Sequence, residues 1–222
     1  MTENTPTTES TRGHDYLPAA GHDLFLPAYD LLTRVLGFRR AYRTLIDQAD
    51  LHSGMTVLEV GCGTGNLIIA ARQAHPGIEA TGCDPDPLAL RRAERKARGR
   101  TDVIFDRGYV QNLPYADGMF DRVLSSMMWH HLDDDAKGSA AEQIFRVLRP
   151  GGELHLVDVG GEVPADDGAL ARRLMRSAHA AGNRGDAIPR QLSAVGFECT
   201  QVGHQRVRVF GHVAFFKAVR PV

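Results

Sequence analysis

Two histidines, His130 and His131, stand side by side in FDRVLSSMMWHHL, and three acids, Asp133, Asp134 and Asp135, follow them. A neutral imidazole can take a proton near pH 7, so His130, and after it His131, are the candidates for general-base work. The acidic triplet reads as helix-capping and solvated acid, and no metal site is assigned to it. A second chemistry comes from LEVGCGTGN, where Gly61, Gly63 and Gly65 occupy alternate positions. Glycine there allows positive φ and lets a ligand approach without a Cβ in the way. A helix beginning at Asn66 points free N–H groups at this loop, where an anionic group can sit. Asp84 lies 19 residues beyond Gly65, about where an acid holds ribose hydroxyls in nucleotide-binding α/β sheets. The loop spacing is G-x-G-x-G, not the dinucleotide G-x-G-x-x-G. The three cysteines, Cys62, Cys83 and Cys199, are far apart and contain no C-x-x-C. They suggest neither a zinc site nor a disulfide framework, and point to a reducing compartment.

The elements that must position these residues follow from the hydrophobic pattern. Val57, Leu58 and Val60 are a short buried strand before the glycines, and Leu67, Ile68 and Ala71 have helical spacing after them. Ile78 to Asp84 is a second strand. Pro87 to Arg100 is an amphipathic helix in which Leu88, Leu90, Ala93 and Ala97 recur among basic residues, so its charges are a solvated face and no nucleic-acid partner is expected. Val103 to Phe105 is a third strand, followed by the loop DRGYVQNLPYADG. Arg122 to Ser125 is a fourth, with Asp121 read as a cap or turn acid. Ala141 to Leu148 is a helix stopped by Pro150, Gly151 and Gly152 before a fifth strand, Leu154 to Val159. A helix over Ala169 to Ala181, another over Ile188 to Val195, and strands Phe197 to Val202 and His212 to Val219 complete the chain.

The first 13 residues are polar, carry no signal-peptide pattern and read as a disordered tail. Residues 14–222 read as one domain. Within it, residues 14–51 read as N-terminal helices, with His14 to Tyr29 either padding the sheet or forming a flap over the site, and residues 52–222 form the core. The chain has 222 residues, 43% hydrophobic, with a formal net charge of −1. That length suits one α/β domain, and the charge gives no electrostatic reason to expect nucleic acid. No apolar run approaches the roughly 18 residues needed to span a membrane.

LEVGCGTGN, GCDPD, FDRVLSSMMWHHL and LRPGGELHLVD, in that order, resemble the successive motifs of the class I S-adenosylmethionine-dependent methyltransferases. The likeness is to the branch containing the ubiquinone and menaquinone biosynthesis enzymes, and covers about residues 14–219. It implies a Rossmann-like, doubly wound, mostly parallel seven-stranded sheet with a C-terminal antiparallel β-hairpin. It implies S-adenosyl-L-methionine as cofactor, held by Tyr29, Glu59, Gly61, Cys62, Gly63, Gly65, Asn66, Asp84, Pro85, Gly108, Tyr109, Val110 and Ser125. Members usually carry an acid just after the glycine of the third motif. Here that position is Tyr109, leaving backbone groups of Gly108 to Val110 to read the adenine edge.

The implied reaction is methyl transfer to a small, partly hydrophobic molecule at oxygen, nitrogen or carbon, with His130 as the base where the acceptor must lose a proton. A sulfonium is already an activated donor, so the protein mainly aligns the reactants and excludes water. A cytoplasmic location is expected, and homodimerisation is left open. Two alternatives stand beside this reading. One is a protein that binds S-adenosylmethionine without transferring its methyl group. The other is an NAD-type oxidoreductase, which the glycine spacing disfavours.

Overall fold

Thr56–Val60 (β1) is a run of valine and leucine that is buried on both faces after its first residue. Such a strand needs neighbours on both edges and cover on both sides, and it becomes the centre of a parallel sheet. The computed structural model describes residues 38–99, 102–162, 183, 185–207 and 211–222. The tail, the segment His14 to Tyr29 and the helix expected over residues 169–181 lie outside the described residues.

The described elements are helix α1 (Phe38–Ala49), β1, α2 (Asn66–Ala74), β2 (Glu79–Asp84), α3 (Pro87–Ala97), β3 (Ile104–Arg107) and β4 (Phe120–Ser126). After a short 3₁₀ turn at Trp129–His131 come α4 (Asp134–Val147), β5 (Leu148–Val159), α5 (Ala187–Ala194), β6 (Glu198–Val207) and β7 (Gly211–Val219). Seven of these are strands of one sheet, in the order β3-β2-β1-β4-β5-β7-β6. β1 pairs in parallel with β2 and β4, β2 with β3, and β4 with β5. Only β7 runs against the others: it pairs antiparallel with β5 on one side and with β6, its hairpin partner, on the other. This is the Rossmann-like, doubly wound sheet with a C-terminal hairpin that the motifs imply. Because the chain leaves β1 in one direction and returns on its other side at β4, the carboxyl ends of β1 and β4 flank a switch point, where such sheets leave a crevice.

Strand alternation divides the core into two layers. Leu58, Leu156 and Phe216 pack with Phe120, Trp129, Ile144 and Leu192 on the side covered by α4 and α5. Val57, Leu124, Val157 and Phe215 pack with Leu45, Leu67 and Ile68 on the side covered by α1 and α2. The helix expected from Ala141 begins earlier, at Asp134. Asp133 caps it by accepting from the Ala136 N–H at 2.8 Å. The fifth strand begins at Leu148 and runs through Pro150–Gly152. These residues pair with the chain's end: Gly151 N–H donates to the Arg220 carbonyl, and Arg220 N–H to that of Gly152.

Asp121, expected to cap a turn, is instead a buried strand residue. Its Oδ2 accepts from the Thr56 N–H at 2.7 Å and the Thr56 hydroxyl at 3.0 Å, while Oδ1 meets Arg149 Nη1 at 2.6 Å. The side chain thus extends the β1–β4 pairing by one residue. Replacing Asp121 with alanine leaves the Thr56 N–H unmatched, and the expected cost is about 1–3 kcal/mol. Urea unfolding of Asp121→Ala should show a lower midpoint at an unchanged m-value. An unshifted midpoint would refute this role.

Candidate active site

At the carboxyl ends of β1, β2 and β4 lies a cavity of about 390 Å³, within the size range of small-molecule sites. Its floor is the loop Gly61–Gly65, whose three glycines all have positive φ, at 67°, 52° and 73°. A Cβ on Gly63 would meet nothing within 4 Å and would project into open space. A Cβ on Gly65 would instead strike Phe105 at 2.9 Å and Ala93 at 3.0 Å. Gly65 therefore does not line the cavity as expected. It lets the start of α2 close on α3 and β3.

Backbone and carboxylate bonds fix the loop. Cys62 N–H donates to the Cys83 carbonyl at 3.0 Å, and Gly63 N–H to Asp84 Oδ2 at 2.7 Å. The other Asp84 oxygen accepts from Asp86 N–H at 2.9 Å. Burial pushes the Asp84 carboxyl above its ordinary value, and the two N–H groups oppose that shift. Asp86 in turn caps α3, accepting from Leu88 and Ala89 N–H. Glu59, buried beneath the loop, accepts from Ile68 N–H at 2.8 Å in the first turn of α2. Burial pushes its carboxyl well above the usual glutamate range, with the Ile68 N–H opposing. Lys96 reaches across from α3, its Nζ 2.8 Å from both Thr64 Oγ1 and Asn66 Oδ1.

The third wall is Gly108–Val110. Gly108 N–H donates to the Asp84 carbonyl at 3.2 Å, and a Cβ on Gly108 would lie 2.9 Å from the Cys83 sulfur. Tyr109 lines the cavity and bridges to Asn112. The fourth wall is the end of β4. Here the strand phase decides: Ser125, the expected contact, is wholly buried and does not line the cavity, whereas Ser126 does. Successive strand residues point to opposite faces. The Ser126 hydroxyl is buried and has no hydrogen-bond partner among the described residues. Met127 follows with φ 56°, a left-handed conformation that costs energy for a non-glycine residue.

The cavity thus gathers Glu59, Gly61, Cys62, Gly63, Asn66, Asp84, Pro85, Gly108, Tyr109 and Val110. Gly65, Ser125 and His130 are expected site residues that do not line it, and Tyr29 lies outside the described residues. His130 is drawn away by Asp158, whose Oδ1 is 2.6 Å from His130 Nδ1. His131 lines the cavity in its place. Tyr42 of α1, Gln111 and Ser126 also line the cavity without having been singled out in the sequence. Tyr42 sits in a helical repeat that reads as core padding, so its pattern carried no separate signal.

Comparison with known proteins bears on this site. A family profile described as a methyltransferase domain matches residues 57–152, the stretch from β1 to the start of β5. A demethylmenaquinone methyltransferase of Deinococcus radiodurans is 37% identical over 139 residues, covering 60% of this chain and 56% of the relative. The corresponding enzyme of Thermus thermophilus is 35% identical over 137 residues, covering 60% and 61%. The matched part is thus less than two thirds of either relative. The crystal structure of a SAM-dependent methyltransferase from Aquifex aeolicus superposes with a TM-score of 0.68 at 17% identity, covering 90% of this chain and 98% of that one. That likeness is one of fold.

The loop's rigidity has a direct test. In Asp84→Ala, Gly63 and Asp86 lose their shared acceptor, so amide exchange at both should quicken at least tenfold, while amides in the centre of β1 keep their protection. Unchanged exchange at Gly63 would show that the carboxylate does not hold the loop.

Proposed function

We propose that this chain, whose residues 57–152 match a methyltransferase domain profile, is a class I S-adenosylmethionine-dependent enzyme that transfers a methyl group from S-adenosylmethionine to a small, partly hydrophobic molecule. One observation carries the reading. Asp84, at the carboxyl end of β2, is bonded to the glycine loop and lines the same cavity as Gly63 and Gly108. An adenosine-bearing ligand needs this combination: a carboxylate for ribose hydroxyls, backbone bare of Cβ, and a wall that can read adenine.

The residues fit that ligand. Each carboxylate oxygen has a second lone pair, so Asp84 would accept from the ribose while keeping its backbone bonds. Gly63 leaves room that any side chain would fill. Gly108, Tyr109 and Val110 would flank the adenine, through backbone groups where the usual acid is absent. Cys62 and Asn66 would line the amino-acid end, beside the N-terminus of α2. When bound, the sulfonium supplies an activated methyl group. The protein's part is to hold donor and acceptor in line and to exclude water.

Met127, Met128, Leu132 and Ala136 make the remaining wall largely apolar, with Ser126, Tyr42 and His131 as polar points. This supports an acceptor of mixed character, such as a substituted phenol, quinol or amine. The names of the two curated relatives make demethylmenaquinone the first acceptor to try. We extend the reading to a cytoplasmic setting, which three unpaired thiols support.

Isothermal titration should show S-adenosylmethionine binding and no measurable NAD binding, with Asp84→Ala weakening the former by about tenfold or more, the equivalent of ~1.4 kcal/mol. A methyl-transfer assay against phenols, amines and reduced demethylmenaquinone should then give turnover. Tighter binding of NAD, or a folded Asp84→Ala with wild-type affinity, would overturn the cofactor assignment. Binding without turnover on any acceptor would reduce the function to cofactor binding.

A further inference from the structure

The turn after β4 holds two imidazoles in different situations. His130 is anchored. Its Nδ1 lies 2.6 Å from Oδ1 of Asp158, a wholly buried residue of β5, and Oδ2 of the same carboxylate accepts from Trp129 N–H at 2.8 Å. Trp129 is itself wholly buried, with its indole N–H donating to Gln191 of α5 at 3.0 Å. The turn is therefore nailed to the sheet from below and to α5 from the side. His131 faces the other way, exposed at the cavity and lining it together with Ser126, Met128 and Asp133. The two rings are in contact, with centroids 4.0 Å apart and planes at 39°.

We propose that His131 is the side chain that takes the methyl acceptor's proton, and that His130, clamped by Asp158 and packed on the His131 ring, is its positioning residue. The inference rests on the methyl-transfer reading and adds to it the group that handles the proton. In that role the acceptor's lone pair forms the bond to the methyl carbon, and the carbon–sulfur pair departs with sulfur. The acceptor's proton passes to the His131 imidazole and on to water. Phenols, alcohols and protonated amines are the acceptor classes that need this step; a tertiary amine does not.

Electrostatics favour the same division of labour. Burial pulls the His130 imidazole toward the neutral form, but the Asp158 charge and hydrogen bond outweigh it and hold the group above its ordinary value. Lys137 of α4, itself buried, acts against protonation. A proton on His130 places positive charge against the His131 ring. Asp133 at the same wall pulls the other way, from an exposed position where water screens it. Asp134 pairs with Lys137 at 3.6 Å, so Asp158, Lys137, Asp133 and Asp134 are charged groups around the two histidines.

The test begins without any ligand. Ring titrations of the histidines are followed by NMR in protein labelled with ¹⁵N-histidine, with His130→Gln and His131→Gln used for assignment. His130→Gln removes the cation and leaves Asp158 charged, so the His131 pKa should rise by about half a unit or more. Asp158→Asn should lower that of His130. A His131 titration that does not move in folded His130→Gln would overturn the positioning role.

The second arm uses the acceptor that turns over in the phenol and amine assay. His131→Asn should lower kcat by about 10²- to 10⁴-fold and leave the Kd for S-adenosylmethionine within twofold. His130→Gln should lower kcat less and shift the rising limb of the kcat–pH profile upward, in step with the His131 titration. A folded His131→Asn at wild-type kcat would overturn the inference alone. A wild-type protein that binds S-adenosylmethionine and methylates nothing would overturn it together with the transfer reading.

Discussion

The carboxylate of Asp84 holds the site together. Each of its oxygens is bonded to a different backbone segment, one to the glycine loop after β1 and one to the capping turn before α3. Its own carbonyl accepts from Gly108, the first residue of the third wall. Three loops that leave three adjacent strands are thus tied to one residue. The parallel register places it there: Val60 is paired with Cys83, so the end of β1 and the residue before Asp84 lie level across the sheet. A buried carboxylate is costly unless its lone pairs are used. Here the cost of burial is offset by two backbone N–H groups, those of Gly63 in the glycine loop and Asp86 at the N-cap of α3. Lys96 adds a second tie from α3 to the same loop through Thr64 and Asn66. The cavity is therefore formed in advance, by bonds that need no ligand.

Much of this was legible in the sequence because the relevant signals are local. A glycine-rich turn between a β-branched run and a helical run, and an acid ending the next strand, are each readable within a few residues. The mostly parallel seven-stranded sheet with its closing hairpin followed from the resemblance. What could not be read are the features that depend on phase or on partners far along the chain. Whether Ser125 or Ser126 meets the cavity depends on where a seven-residue strand places its last pleat, and a shift of one residue reverses the answer. Tyr42 is one aromatic in an amphipathic helix, and only the packing of α1 on the sheet brings it to the cavity. The strand through Pro150–Gly152 is visible only when the chain's end pairs with it.

Asp158 is the instructive omission. It stands in LHLVDV, a buried strand whose other polar residue is His155, and a charge in a buried strand demands a partner. That demand was legible; the partner was not, because it lies 28 residues away at His130. Once the pair is seen, the tandem histidines cease to be equivalent. The expectation placed the base at His130 by its position after the fourth strand and by the chemistry of an imidazole. The structure spends that residue on a bond into the sheet, and the turn then carries its neighbour toward the cavity. The same turn explains the strained backbone before it. Met127 takes a positive φ as the chain bends from β4 into a segment that Asp158 holds by two backbone N–H groups and one ring. The bonds to Asp158 offset that local cost.

The three glycines of the loop, which look interchangeable in the sequence, answer to three different neighbours. A side chain on Gly61 would collide with Met128, which closes over it from the turn after β4. One on Gly65 would collide with Phe105 and Ala93, keeping α2 from its seat. Only at Gly63 is the added space empty, and it opens into the cavity. The spacing G-x-G-x-G therefore records two packing contacts and one vacancy. The packing contacts fix the loop against β4 on one side and against α3 and β3 on the other. The vacancy between them, with Asp84 bonded to its N–H, is where a ligand can approach bare backbone. This is why the motif carries information about the fold and the cavity together: the glycines that shape the loop are those that must pack, and the one left uncovered faces open space.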